Sequence, residues 1–408
     1  MPLQVSYMGT KRQIAPQVAS IILDGPSGPL LDLFSGVCAI GSAVGPDRQV
    51  WCNDVQQFAS TVAEAFFLST DPPIHFNSVA DAAYQLYRAN SRKLERRYRH
   101  LIDIENLAFE SRDPFLIGAL EHEIPHVSNC VKLEKERKRL SKNPGSTPYR
   151  LFSITFAGGY FGISQCIQID SIRYAIDELA IRDELDEQQR RWLCLALCQA
   201  TSKIASTTGH FAQYLKIKKS TVRRFLAQRR RSAWSEWLRA IADFTPVGTR
   251  AWRSNNRVFR KEATELLTDL DREGLKPATI YADPPYTADH YSRYYHLYET
   301  LLKYDYPPSS GTGRYRPDRF QSYFSTKTKV ADAIELLIAK SARLGSRLVL
   351  SYPEAGLLSN PEPTIISMLR RHYGFEGTVV RLDHCHSSLG ASKGTQKRPV
   401  GELVFATG

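Results

Sequence analysis

Asp283-Pro284-Pro285-Tyr286 closes the apolar run Ala278-Thr279-Ile280-Tyr281-Ala282. Such a run reads as a buried strand, and open α/β sheets place their sites at the carboxyl ends of strands. An aspartate oxygen and a backbone carbonyl beside a proline can accept both hydrogens of an exocyclic amine. That holds the nitrogen toward tetrahedral geometry and directs its lone pair at a methyl donor. The prolines fix φ and keep the acceptors in place, and Tyr286 offers a ring on which a base can stack. Asp-Pro-Pro is also ordinary turn chemistry, so the motif needs corroboration.

A second group supplies it. Asp32-Leu33-Phe34-Ser35-Gly36 ends another short apolar run that starts at Leu30. A strand that stops in a small-residue turn lets a ligand approach the backbone, with the N–H groups of the next helix nearby. The full Gly-x-Gly-x-x-Gly pattern is missing, which weakens a nicotinamide reading. Asp54 closes the next short strand, Val50-Trp51-Cys52. An acid at that place can bind the two hydroxyls of a ribose or cap the helix that follows. Turn and acid together match nucleoside binding.

These residues need elements to hold them. Leu30–Phe34 and Val50–Cys52 read as strands, and Phe58–Leu68 as a helix, giving a parallel sheet with right-handed crossovers. The α/β pattern resumes after Gly274 with strands at Ala278–Ala282, Arg347–Ser351 and Gly401–Ala406 and a helix over Lys329–Leu344. Between them the chain is helical and charged. The expected division is a discontinuous sheet domain, 1–85 and 275–408, interrupted by a helical insertion, 86–274. Tyr291, Tyr294, Tyr295 and Tyr298 fall on one helix face just after the Asp-Pro-Pro-Tyr motif, spacing that serves packing or a wall over a bound base.

Charge is concentrated in that insertion. Residues 202–261 hold fifteen Lys or Arg against Glu236 and Asp243, a local excess of +13 beside +12 for the whole chain. A local field of this kind is what phosphate binding needs, although an Arg-rich solvated helix surface has the same composition. The candidate phosphate contacts are Lys216, Lys218, Lys219, Arg223, Arg224, Arg229, Arg230 and Arg231. On a helix the last three span about 200°, so they cannot all face one partner.

Composition excludes several classes. With 408 residues, 42% hydrophobic and 24% charged, the chain can bury a core and is not globally disordered. No window approaches the roughly 18 apolar residues of a membrane span. Seven cysteines scattered over this length do not form a disulfide framework, so a reducing cytosol is expected. Cys194, Cys198 and His384-Cys385-His386 are metal-compatible types without a second ligand pair at zinc spacing. No metal is expected.

The ordered set Tyr7-Met8-Gly9-Thr10-Lys11, Asp32 to Gly36, Asp54 and Asp283 to Tyr286 resembles the Dam-type class of adenine-specific DNA methyltransferases. The resemblance covers about half of the chain, roughly 1–80 and 275–408. It implies a Rossmann-like α/β methyltransferase sheet with a helical, basic target-recognition insertion. It implies S-adenosylmethionine as cofactor, with Tyr7, Gly9, Lys11, Asp32, Phe34, Ser35, Gly36 and Asp54 around it, and Asp283, Pro284, Pro285 and Tyr286 at a flipped adenine. Asp81 is a candidate, by position alone, for the acid that contacts the cofactor's own adenine. Cys38 departs from the pattern, standing where such turns often carry Gly. Double-stranded DNA is the implied partner, a cognate restriction or defence nuclease a further one, and the bacterial cytoplasm and its nucleoid the implied location. An RNA base methyltransferase and a non-catalytic DNA-binding protein that keeps this fold are the alternatives.

Overall fold

The computed structural model describes residues 5, 11–68, 76–386 and 398–408, with side chains described for all of these except 76–78, 383–386 and 398–400. Among the described residues seven strands form one sheet in the order β3-β2-β1-β4-β5-β7-β6. They are β1 (Leu30–Asp32), β2 (Val50–Asn53), β3 (Arg257–Phe259), β4 (Thr279–Ala282), β5 (Arg347–Pro353), β6 (Thr378–His386) and β7 (Arg398–Ala406). The first five run parallel, with Leu30 in register with both Val50 and Thr279. β7 runs antiparallel to β5 and β6 and sets Glu402 opposite Pro353.

Every residue of β1, β2 and β4 is buried, as parallel strands covered on both faces must be. One face packs Leu31, Leu33 and Ile280 against Ile334, Leu337 and Ile338 of the helix Val330–Arg343. The other packs Leu30 and Tyr281 against Val18 and Ile22 of the helix Ala15–Leu23. The chain builds outward from β1 to β3 and then restarts at β4 on the opposite side. The crevice above β1 and β4 is therefore the switch point where such sheets bind ligands.

Between β2 and β3 lies a helical body centred on Ile163–Ile181 and Glu187–Ile204. The second of these starts with a reciprocal cap: Gln189 N–H donates to Asp186 at 2.7 Å, and Asp186 N–H to the Gln189 side chain at 2.9 Å. The body is locked to the chain that follows β4. Buried Asp170 accepts the Tyr304 hydroxyl at 2.6 Å and the Phe152 and Ser153 N–H groups at 2.8 Å each. Arg314 donates to the carbonyls of Thr155 and Ala157, both at 2.7 Å.

Two expectations change. β3 and the helix Ala263–Arg272, whose Leu266, Leu267 and Leu270 lie under the sheet, fall inside 86–274 yet belong to the sheet by their pairing and packing. Arg257-Val258-Phe259 is a three-residue edge strand in a basic stretch and shows no apolar run to read. Second, Arg229 does not face a partner outside the fold. Its side chain is fully buried, bonded to the Glu121 carboxylate and, at 2.8 Å, to the Gly159 carbonyl. Lys216, Lys218, Lys219, Arg223, Arg224, Arg230 and Arg231 are exposed.

Arg229→Met removes the guanidinium that bonds Glu121, and breaking a buried pair from one side costs about 3–5 kcal/mol. Urea unfolding should show a loss of that order, most of it recovered in Arg229→Met/Glu121→Leu. Unchanged stability together with weaker polyanion binding would return Arg229 to the surface.

Candidate functional site

The switch-point crevice is a cleft of about 960 Å³ including its open mouth. Its floor is the turn after β1. The Leu33 N–H donates to the Tyr281 carbonyl at 2.9 Å and the Ser35 N–H to the Asn53 carbonyl at 2.9 Å, so the chain leaves β4 and leans onto β2. Gly36 has φ 49° and Cys38 φ 58°. The position that departs from the expected Gly thus adopts the left-handed backbone that favours Gly, and Cys38 holds it while fully buried in the core. Asn53 binds the rim together: its amide donates to the carbonyls of Leu33 at 3.0 Å and Lys261 at 3.1 Å and accepts the Lys261 N–H at 3.1 Å. The exits of β1, β2 and β3 are therefore bonded to one another through Asn53.

Asp54 accepts the Gly36 N–H at 3.1 Å and the Gln56 N–H at 2.9 Å. It ties the turn to the chain that leads into the next helix. Burial pushes the Asp54 carboxyl up to about 6, with the Gln56 and Gly36 N–H groups pulling it back. Asp32 is pushed up to about 7 by burial, against a bond from the Gly41 N–H and with help from Asp283 and Asp54. The buried Ser35 Oγ and Gln56 Oε1 have no hydrogen-bond partner among the described residues, and both residues line the cleft. Unpartnered polar atoms in a concave wall call for a polar ligand.

Facing this turn, Asp283 stands at the end of β4. Lys11 Nζ lies 2.8 Å from Asp283 Oδ1 and 3.3 Å from Glu402 Oε1, with side-chain exposures of 2%, 15% and 0% for the three. Burial alone would lower the Lys11 ammonium, but the two carboxylates raise it above its ordinary value. Burial raises the Glu402 carboxyl, and Lys11 opposes that shift. Pro285 lines the cleft, Pro284 is buried behind it, and Tyr286 is half-buried alongside, its ring 5.1 Å from Lys11 Nζ. Tyr7 and Gly9 lie outside the described residues.

The outer wall comes from the chain after β4. In the tyrosine stripe Tyr294, Tyr295 and Tyr298 are buried packing, while Tyr291 lines the cleft and shares a side-chain hydrogen bond with Tyr286. Phe324 meets Phe34 edge-on at 5.4 Å, and half-exposed Phe320 stands at the mouth. The basic segment is tied to the same wall: the Phe211 N–H donates to the Tyr294 carbonyl at 2.9 Å, His296 bonds the Phe211 carbonyl at 3.0 Å, and the Tyr315 hydroxyl donates to the Ala212 carbonyl. Asp81 is exposed and does not line the cleft, whereas Val55, Gln56, Lys261 and Glu262 do. Glu402 stands just before the apolar run Leu403-Val404-Phe405-Ala406, where no local pattern assigns it to the cleft, and Phe320 carries no signal either. Among the described residues no cluster of three or more His, Cys, Asp or Glu is placed to hold a metal, and no helix is long and apolar enough to cross a membrane.

No protein-family model matches the chain. It is similar to Modification methylase LlaI of Lactococcus lactis subsp. lactis, 23% identical over 381 residues that cover 91% of this chain and 49% of that protein. It is similar to Type II methyltransferase M.FokI of Planomicrobium okeanokoites, 24% identical over 370 residues, 90% of this chain and 47% of that one. With Modification methylase StsI of Streptococcus sanguinis it shares 22% identity over 405 residues, 98% and 51% of the two chains. The chain thus spans about half the length of the curated relatives it matches. Its mixed α/β sheet is consistent with a methyltransferase fold.

The cleft carboxyls predict a pH dependence. In the unfolded chain an Asp titrates near pH 4, while in the fold Asp54 and Asp32 sit at about 6 and about 7. Raised acids contribute stability that is fully present below the unfolded value and lost as pH rises through the folded one. The ligand-free melting temperature should therefore fall from pH 5 to pH 8, and Asp32→Asn should fall less. An identical slope in the variant would show that Asp32 does not carry the effect.

Proposed function

We propose that this chain is a DNA methyltransferase that moves a methyl group from S-adenosylmethionine to the N6 amine of an adenine extruded from duplex DNA. One observation carries the reading: Asp283 at the end of β4 and the Ser35–Gly36–Asp54 turn beyond β1 and β2 line one cleft at the sheet's switch point. Amine acceptor and nucleoside-binding turn thus share one space. The names of the similar proteins, modification methylases and a type II methyltransferase, support the same reading.

The residues fit the cofactor. Asp54 and the unpartnered Ser35 Oγ and Gln56 Oε1 offer polar partners for a nucleoside, beside the rings of Phe34 and Phe324. S-adenosylmethionine supplies a methyl group on a sulfonium. Opposite it, Asp283 and the Pro284 carbonyl accept the hydrogens of the adenine amine and aim its lone pair across the cleft. With the cofactor bound, Asp283 and the Pro284 carbonyl would hold the amine hydrogens while the nitrogen takes the methyl from the sulfonium, which would leave as a neutral thioether. Asp283 would be placed to pass the surplus proton to solvent. Tyr286 and its partner Tyr291 border the ring. The amine cannot reach the cleft from inside the stack, so the base must be extruded. Exposed Lys216, Lys218, Lys219, Arg223, Arg224, Arg230 and Arg231 hold phosphates on the segment tethered to the cleft wall. A cognate restriction or defence nuclease is the companion that such a modification implies.

Asp283→Ala should lower methyl transfer by on the order of 10²-fold or more while duplex binding stays near wild type. Near-normal turnover at saturating cofactor would remove Asp283 from the reaction. Replacing Arg223 and Arg224 together by Ala should make the dependence of DNA affinity on salt shallower by up to about 2 in log–log slope. An unchanged slope, measured with cofactor binding intact, would mean that this pair does not touch phosphate.

A further inference from the structure

Glu402 sits on β7 with no exposed side-chain surface, next to the apolar Leu403, Val404 and Phe405, and neither its place in the sheet nor its packing needs an acid. Burying a carboxylate costs several kcal/mol, and apolar replacements of buried ion sets are often neutral or stabilising. Stability therefore does not account for it. Its contact does: Lys11, the ammonium 3.3 Å away, is the one that touches Asp283 at 2.8 Å. An ammonium held by Asp283 alone would compete with an incoming amine for the carboxylate's lone pairs. A second carboxylate behind that ammonium divides its charge and weakens its hold.

We propose that Glu402 is a positioning residue for amine methylation, acting through Lys11 to fix Asp283 and leave its carboxylate available to the amine. This rests on the reading of Asp283 as the amine acceptor. The three groups come from the N-terminal segment, β4 and β7, so the arrangement exists only in the closed sheet. Glu402 touches no substrate. Its effect should appear in the methyl-transfer step and not in the binding of either substrate.

The test uses the full chain and the variants Glu402→Gln, Glu402→Asp, Lys11→Met and Glu402→Gln/Lys11→Met, with single-turnover methylation of duplex DNA at saturating cofactor. Wild-type transfer is established first, and its absence would overturn the proposed activity and not the role of Glu402. Glu402→Gln should slow transfer on the order of tenfold, as loss of an outer hydrogen-bond partner commonly does, with KM for both substrates unchanged. The fluorescence of 2-aminopurine at the target position, which reports extrusion, should also be unchanged. Glu402→Asp, which keeps the charge, should recover part of the rate. In the Lys11→Met background Glu402→Gln should cost nothing more, because the path to Asp283 is gone. An equal loss in both backgrounds, a change confined to KM, or a wild-type rate in Glu402→Gln would overturn the proposal. If Glu402→Gln melts too low to assay, Glu402→Asp decides: a slower rate at normal KM supports the role, and an unchanged rate removes it.

Discussion

The ammonium of Lys11, buried between Asp283 and Glu402, joins three parts of the chain that are far apart in sequence. A charge at that depth needs an opposite partner, and Lys11 finds one at the end of β4 and a second on the antiparallel β7. Across the cleft, the turn at Ser35–Gly36 leans over β2, where Asp54 and Asn53 hold it by backbone N–H and carbonyl groups. What results is a rim set by hydrogen bonds, with Asp283 on one side of the cleft and the Ser35–Gly36 turn with Asp54 on the other.

The insertion is not an appendage to this site. Asp170 and Arg314 bond it to the chain after β4, and the basic segment reaches the cleft wall through Phe211 and Ala212. The basic residues from Lys216 onward therefore follow a stretch that is bonded to the helix after β4. Under the proposed function, this tether would couple a sequence-independent phosphate grip to the place where one base leaves the stack. Arg229 belongs to the scaffold of this arrangement, since it joins the basic helix Val222–Arg229 to Glu121.

Much of this was legible in the sequence because the signals were local. Apolar runs ending in Ser-Gly, Asn-Asp and Asp-Pro-Pro-Tyr mark β1, β2 and β4, and the spacing of Val330, Ile334, Leu337 and Ile338 marks a helix with one apolar face. β3 was not legible because three residues with one paired neighbour need no apolar run. Arg229 was not legible because charge density counts cations and cannot see the acid that neutralises one of them. Asp54 shows a third case: sequence offers a helix cap or a ligand contact, whereas the carboxylate ties the Gly36 turn to the chain before the next helix while lining the cleft, a bond across 18 residues that no local pattern gives. Glu402 becomes meaningful only when β7 folds back between β5 and β6, a long-range pairing that no local pattern announces.

The most direct measurement of the central claim is base-resolved sequencing of DNA from cells that express the chain, with cells expressing Asp283→Ala as the control. N6-methyladenine is expected at a defined sequence in the first sample and is expected to be lost in the second. Unmodified DNA from cells that accumulate the folded protein, or a modified base other than adenine, would contradict the claim.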